Sequence, residues 1–85
     1  MITVKEAAKR AAQFYEDLLG EMVFPATLEE VEKVTHDGHV YWYITLSMPV
    51  LALEVLTGRK EYKLFRVDAE TGEVESMKIR VIDAA

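Results

Sequence analysis

The stretch from His39 to Met48, HVYWYITLSM, constrains the fold more than any other part of the chain. Val40, Trp42, Ile44, Leu46 and Met48 alternate with Tyr41, Tyr43, Thr45 and Ser47. A period of two is what a β-strand imposes when one face is dry and the other amphipathic. The segment therefore predicts a central strand, and the rest of the chain has to cover its dry face.

The cover comes from the N-terminus. Thr3 to Glu6 reads T-V-K-E, a capping box in which the Thr3 hydroxyl accepts from the Glu6 backbone N–H and the Glu6 carboxylate reaches back. From there Val4, Ala8, Ala11, Tyr15, Leu18 and Met22 recur at helical spacing, widened by Ala7 and Phe14, with Lys5, Lys9, Arg10, Gln13 and Asp17 on the other side. The alanines give a thin surface that lets a helix lie close to a sheet. Gly20 is the expected end of that helix, with a reversal through Phe24-Pro25.

Thr27 to Thr35 reads as a strand because Asp37-Gly38, a strong hairpin signal, joins it to the central one. Leu28, Val31 and Val34 fall three apart, so keeping both valines inward calls for a β-bulge. Pro49 donates no ladder bond, so the strand is expected to break, bulge or run along an edge there; Val50 to Leu56 is expected to continue as a bent strand, a short buried helix being the other reading. Glu61 to Asp68 and Glu73 to Ile82 form a last hairpin around Ala69-Glu70-Thr71-Gly72, with a second bulge implied by Val74 and Met77 and a cross-strand pair between Arg66 and Glu75. The sum is an α+β domain of two layers, one N-terminal helix packed on a curved antiparallel sheet of about four strands, spanning residues 1–85 as a single domain.

Pieces of this order resemble two known families. A helix followed by VEKVTHDGHVYWYITL and EYKLFRVDAETGEV resembles the cystatin-like fold, in which a long curved antiparallel sheet wraps one helix. Phe65, Val67, Asp68, Ala69, Thr71, Gly72 and Val74 resemble the last hairpin of small PepSY-like domains, aromatic-x-V-D-A-x-T-G-x-V. Gly38 to Leu46 is similar to cystatins proper, where a turn glycine precedes an aromatic strand. Aligning the cystatin Gln-x-Val-x-Gly tip on Gly38 puts Val34 at the glutamine and His36 at the valine, and the second-loop Pro-Trp is missing. The resemblance thus implies a fold, and inhibition of a cysteine protease is the least supported of the functional readings.

Charge and composition narrow the function. Of 85 residues none is cysteine, so neither a disulfide nor a thiolate metal site is available. The net charge is −5, and from Gln13 to Thr57 eight acids face the single base Lys33. That imbalance opposes binding to phosphate backbones, and nucleic acid is not an expected partner. The longest apolar run, Met48 to Leu53, is far short of the ~20 residues that span a bilayer. Charged residues within five positions of Met1 leave no apolar signal core, which with the lack of cysteine sets the expectation of a cytoplasmic location; a signal peptide already removed would leave no trace.

Candidate sites follow from the faces. Tyr41, Tyr43 and Thr45, joined by Tyr62, form the second face of the central strand, and one helix covers only one side of a sheet. Tyrosine offers contact area and a hydroxyl at small entropic cost, so this face is the expected binding surface. Leu51, Leu53 and Val55 add a candidate interface, because a strand apolar on both sides has more dry surface than one helix hides. His36 and His39, beside Asp37, are weak metal candidates, set on opposite faces and lacking a fourth ligand. Glu29, Glu30, Glu32 and Glu54 read as solvated acids, and Lys60, Lys63, Lys78 and Arg80 as a basic strip near the last hairpin whose field acidic neighbours largely cancel. No nucleophile arrangement or phosphate loop stands out, and no enzyme activity or cofactor is expected. The leading expectation is a non-enzymatic interaction module that binds itself or another protein through the sheet face or an edge strand, with small-molecule or metal binding as the alternative.

Overall fold

A computed structural model describes residues 1–19, 26–48 and 61–80. Helix α1 (Val4–Leu19) precedes four strands, β1 (Thr27–His36), β2 (His39–Met48), β3 (Glu61–Asp68) and β4 (Val74–Ile79). The strands form one open antiparallel sheet in the order β1-β2-β3-β4. The expected two-layer α+β arrangement is present. Gly20, Phe24-Pro25, the break at Pro49 and the segment from Val50 to Leu56, with Leu51, Leu53 and Val55, lie outside the described residues, as do Glu54, Lys60, Val81 and Ile82.

The helix starts where the capping residue places it. Thr3 Oγ1 accepts from the Glu6 N–H at 3.1 Å, while the Glu6 carboxylate turns forward to Arg10, 3.9 Å away, instead of reaching back. The N-terminal arm is fixed on both sides: Ile2 N donates to Ala69 O at 2.7 Å, and Trp42 Nε1 donates to Ile2 O at 3.1 Å. Trp42 thereby sets where α1 begins over the sheet.

The core lies between α1 and the middle strands. Ala7, Ala11 and Tyr15 pack on Ile44, Leu46, Met48, Phe65 and Val67, all buried, with Val4, Ala8, Ala12, Phe14, Trp42, Val74 and Met77 around them. The two alanines are fully buried, which is the close approach that small side chains permit. Phe65 receives Phe14 and Tyr15 edge-on, at ring separations of 6.4 and 6.2 Å. Complete burial of side chains such as Phe65 and Ile44 stabilises by about 1.5–3 kcal/mol each. Leu18, on the same helical stripe, is exposed.

α1 packs on β2, β3 and β4. This explains the difference from expectation at β1. The bulge lies between Leu28 and Glu30, and strict alternation follows it: Val31 pairs with Ile44 on the helix side, Val34 with Tyr41 on the other. With no helix over this edge among the described residues, their packing does not require both valines to be dry; Leu28 and Val31 are 51% and 42% exposed. The other expected bulge is present, with a register shift between Arg66 and Val67 that keeps Val74 and Met77 on the helix side.

Both turns use their glycines. Asp37 and Gly38 have φ of 51° and 77°, the double left-handed geometry of a type I′ hairpin turn. In the β3–β4 turn Asp68 Oδ1 accepts from Glu70 N (2.7 Å) and Thr71 N (3.1 Å), and Gly72, at φ 78°, donates to Asp68 O.

Candidate interaction face

The odd-numbered residues of β2 point away from α1, and the register assigns their neighbours. Val34 and Asp68 flank Tyr41; Glu32 and Arg66 flank Tyr43; Glu30 and Leu64 flank Thr45; Thr27 and Tyr62 flank Ser47. On β4, Ser76 continues the Tyr43 row and Lys78 the Thr45 row. Tyr41, Tyr43, Thr45 and Tyr62 thus share one face. They are not equivalent: Tyr41, Tyr43 and Tyr62 are half-buried, whereas Thr45 is 1% exposed. Ser47 is as deeply buried, and its hydroxyl has no hydrogen-bond partner among the described residues.

Tyr41 is held from two sides. The His39 ring lies 4.8 Å from it, and the Arg66 guanidinium stands over its face at 5.1 Å, a cation–π contact. Arg66 Nε is in turn 3.1 Å from Glu75 Oε1, the pair expected from the sequence. The N–H is not aimed along that line, so the attraction is between charges and not a directed hydrogen bond.

Asp68 organises the upper end. Its Oδ2 is 2.9 Å from His39 Nε2, while Oδ1 holds the turn amides. Burial acts to raise its pKa; the hydrogen bonds from Thr71 N, His39 and Glu70 N, with the charge on His39, outweigh burial and hold the carboxyl below its ordinary 3.8. His36 and His39 are cross-strand partners, and so share a face, contrary to the expected opposition. Each turns to its own carboxylate, His36 to Asp37 at 3.4 Å and His39 to Asp68. Among the described residues no three His, Cys, Asp or Glu converge on a metal position.

At the lower end Arg80 crosses the sheet. Its Nη1 donates to Thr45 Oγ1 at 2.7 Å, and its two Nη atoms reach the Glu30 carboxylate at 3.1 and 3.3 Å. Strands three places apart lie about 14 Å from each other, so the Arg80 and Glu30 side chains together bridge that distance and meet above the strands between them. A cleft of about 270 Å³ lies here, lined by Glu30, Glu32, Tyr43, Thr45, Leu64 and Arg80. The expected basic strip does not form, because Lys63 pairs with Leu46 and Ile79 on the helix side, where its Nζ is 2.7 Å from Glu61, while Lys78 and Arg80 point the other way.

His39–Asp68, Arg66–Glu75 and Arg80–Glu30 give this face three internally matched charge pairs. Glu32 on β1 and Lys78 on β4 are exposed and make no ion pair among the described residues. The roles of Arg80 and of the His39–Asp68 pair were not apparent from spacing; the signal for the latter was Asp68 in the V-D-A-x-T-G turn, whose side chain has one oxygen left over after capping that turn.

No helix among the described residues is long and apolar enough to cross a membrane. Compared with known protein families, with curated proteins and with solved structures, the chain finds no match. What the described residues define is a class: an α+β domain with an open antiparallel sheet, its helix on one side and tyrosines and matched charge pairs on the other.

Proposed function

We propose that this domain is a non-enzymatic protein-interaction module whose contact surface is the Tyr41–Tyr43 part of the sheet face. One observation carries the reading: Tyr41 is fixed between His39 and Arg66, with Tyr43 beside it on the same strand. A preset aromatic side chain loses little freedom on binding, so more of its contact area counts toward affinity. The matched pairs around it lower the cost of removing water from charges that would otherwise oppose docking. The order of helix then antiparallel strands, with the Val67–Gly72 turn, supports a relationship to cystatin-like or PepSY-like domains.

Site-specific photo-crosslinking tests this. A benzoylphenylalanine at position 43 is expected to form protein adducts in cell extract that vanish with Tyr41→Ala, while the same group at Glu16, on the exposed side of α1, forms none. Equal labelling at both positions, or none at 43, would sink the proposal.

A further inference from the structure

We infer that the partner of this face is a second copy of the chain, packed face to face about a two-fold axis that runs along the strands. The inference rests on the interaction reading and adds the partner and its orientation. It starts from Glu32 and Lys78, the two charges on the face that its internal pairs leave unmatched among the described residues. They are of opposite sign and sit on opposite edge strands of a sheet ordered β1-β2-β3-β4. A two-fold along the strands lays β1 of one copy over β4 of the other, so each Glu32 faces the Lys78 side of its partner, twice per dimer. An in-plane axis across the strands instead lays β1 over β1 and opposes the two Glu32 carboxylates. Edge-to-edge pairing of β1 with itself meets the acids Glu29, Glu30 and Glu32, the usual guard on a strand edge.

Glu32 lies in the Tyr43 row and Lys78 in the Thr45 row, one row apart. That offset is about 7 Å, which a lysine side chain and the ~30° rotation of aligned packed sheets together span. The same axis passes between β2 and β3, setting Tyr41 and Tyr43 of one copy over the Arg66–Asp68 stretch of the other. Thr45 and Ser47, in the lower rows of this face, are already buried within one copy, so the rows above them make a contact smaller than the ~800 Å² per partner of a standard interface, and the dimer is a weak, concentration-dependent one.

Sedimentation of the purified chain between about 5 and 500 µM, where dissociation constants in the micromolar range are read, reports the outcome. A reversible dimer is expected. Glu32→Lys and Lys78→Glu, each turning two attractions into two repulsions, are expected to weaken it about tenfold, and the double swap to restore it to within about threefold. All three replace exposed side chains, and unchanged melting temperatures confirm the fold. A monomer at every concentration, single swaps without effect, or a double swap that fails to restore association would each overturn the dimer. Failure of the broader reading is a separate result: a strict monomer whose position 43 still crosslinks to a different protein removes the second copy and leaves the contact face, whereas a monomer without adducts removes both.

Discussion

His39 Nε2 sits 2.9 Å from Asp68 Oδ2, joining the first residue of β2 to the last of β3 across 29 positions of sequence. Asp68 is 7% exposed and serves the β3–β4 turn and the tyrosine face at once.

Acid should therefore act first through Asp68. Its folded pKa is below 3.8, so between the two values the unfolded chain binds more protons. The contribution to stability is present above pH 3.8 and is lost as pH falls through the folded value. Thermal melts from about pH 5 down to pH 2 are expected to show a steeper fall for the wild type than for Asp68→Asn, which starts lower at neutral pH. Parallel curves would show that the carboxylate's contacts carry no linked stability.

Gly38 and Gly72 separate backbone strain from crowding. Both have positive φ, 77° and 78°, but an added Cβ at Gly38 meets nothing within 4 Å among the described residues, while at Gly72 it comes within 2.7 Å of the Arg10 guanidinium. The latter is the far end of a flexible side chain and moves at small cost. Left-handed backbone costs a non-glycine residue about 1–2 kcal/mol. Denaturant unfolding of Gly38→Ala and Gly72→Ala is expected to give similar losses in that range. Introducing Arg10→Ala should not rescue Gly72→Ala; a rescue would make crowding the dominant effect.

How much of this was legible in the sequence depends on what each feature answers to. The alternation of His39–Met48 and the Asp37-Gly38 turn are local, and they fixed β2, its hairpin and the two-layer class. The Arg66–Glu75 pair was legible because both residues flank one turn. Val34 was not: which way an edge-strand valine points depends on where the bulge falls, and that depends on α1 covering β2 to β4 and not β1. Lys63 joined a basic strip for the same reason, since its side follows from the β2–β3 register and not from its neighbours. The His39–Asp68 and Arg80–Glu30 pairs need that register as well, and no short-range pattern reports it.

Thr45 and Glu30 should not matter equally to Arg80. The bond to Thr45 Oγ1 is the shorter, at 2.7 Å, and its acceptor is buried; the Glu30 side chain is half exposed. Thr45→Val keeps the shape and removes the acceptor, an expected loss of about 1 kcal/mol. Glu30→Gln loses an exposed charge pair, worth about 0.2–1 kcal/mol and falling with added salt. Urea unfolding at low and high salt distinguishes them: the difference from wild type should shrink with salt for Glu30→Gln and persist for Thr45→Val.

Alkali should reach the core through Tyr15. Burial raises its pKa above 10.0, the nearby Glu61 carboxylate raises it further, and Lys63 opposes both in part. A folded value above the unfolded one means that the stabilising contribution is complete below pH 10.0 and is lost as pH rises through the folded value. The phenol lies edge-on to Phe65 at the centre of the helix–sheet contact, so ionisation puts charge where α1 meets β3. Tyr15→Phe keeps the ring and removes the proton, and its stability should decline less than that of the wild type above pH 10. The phenolate absorbance of the wild type minus that of Tyr15→Phe should show one group titrating late, together with unfolding. If Tyr15 ionises at its ordinary value while α1 remains folded, the ring's hydroxyl is in water and the burial that places it in the core is wrong.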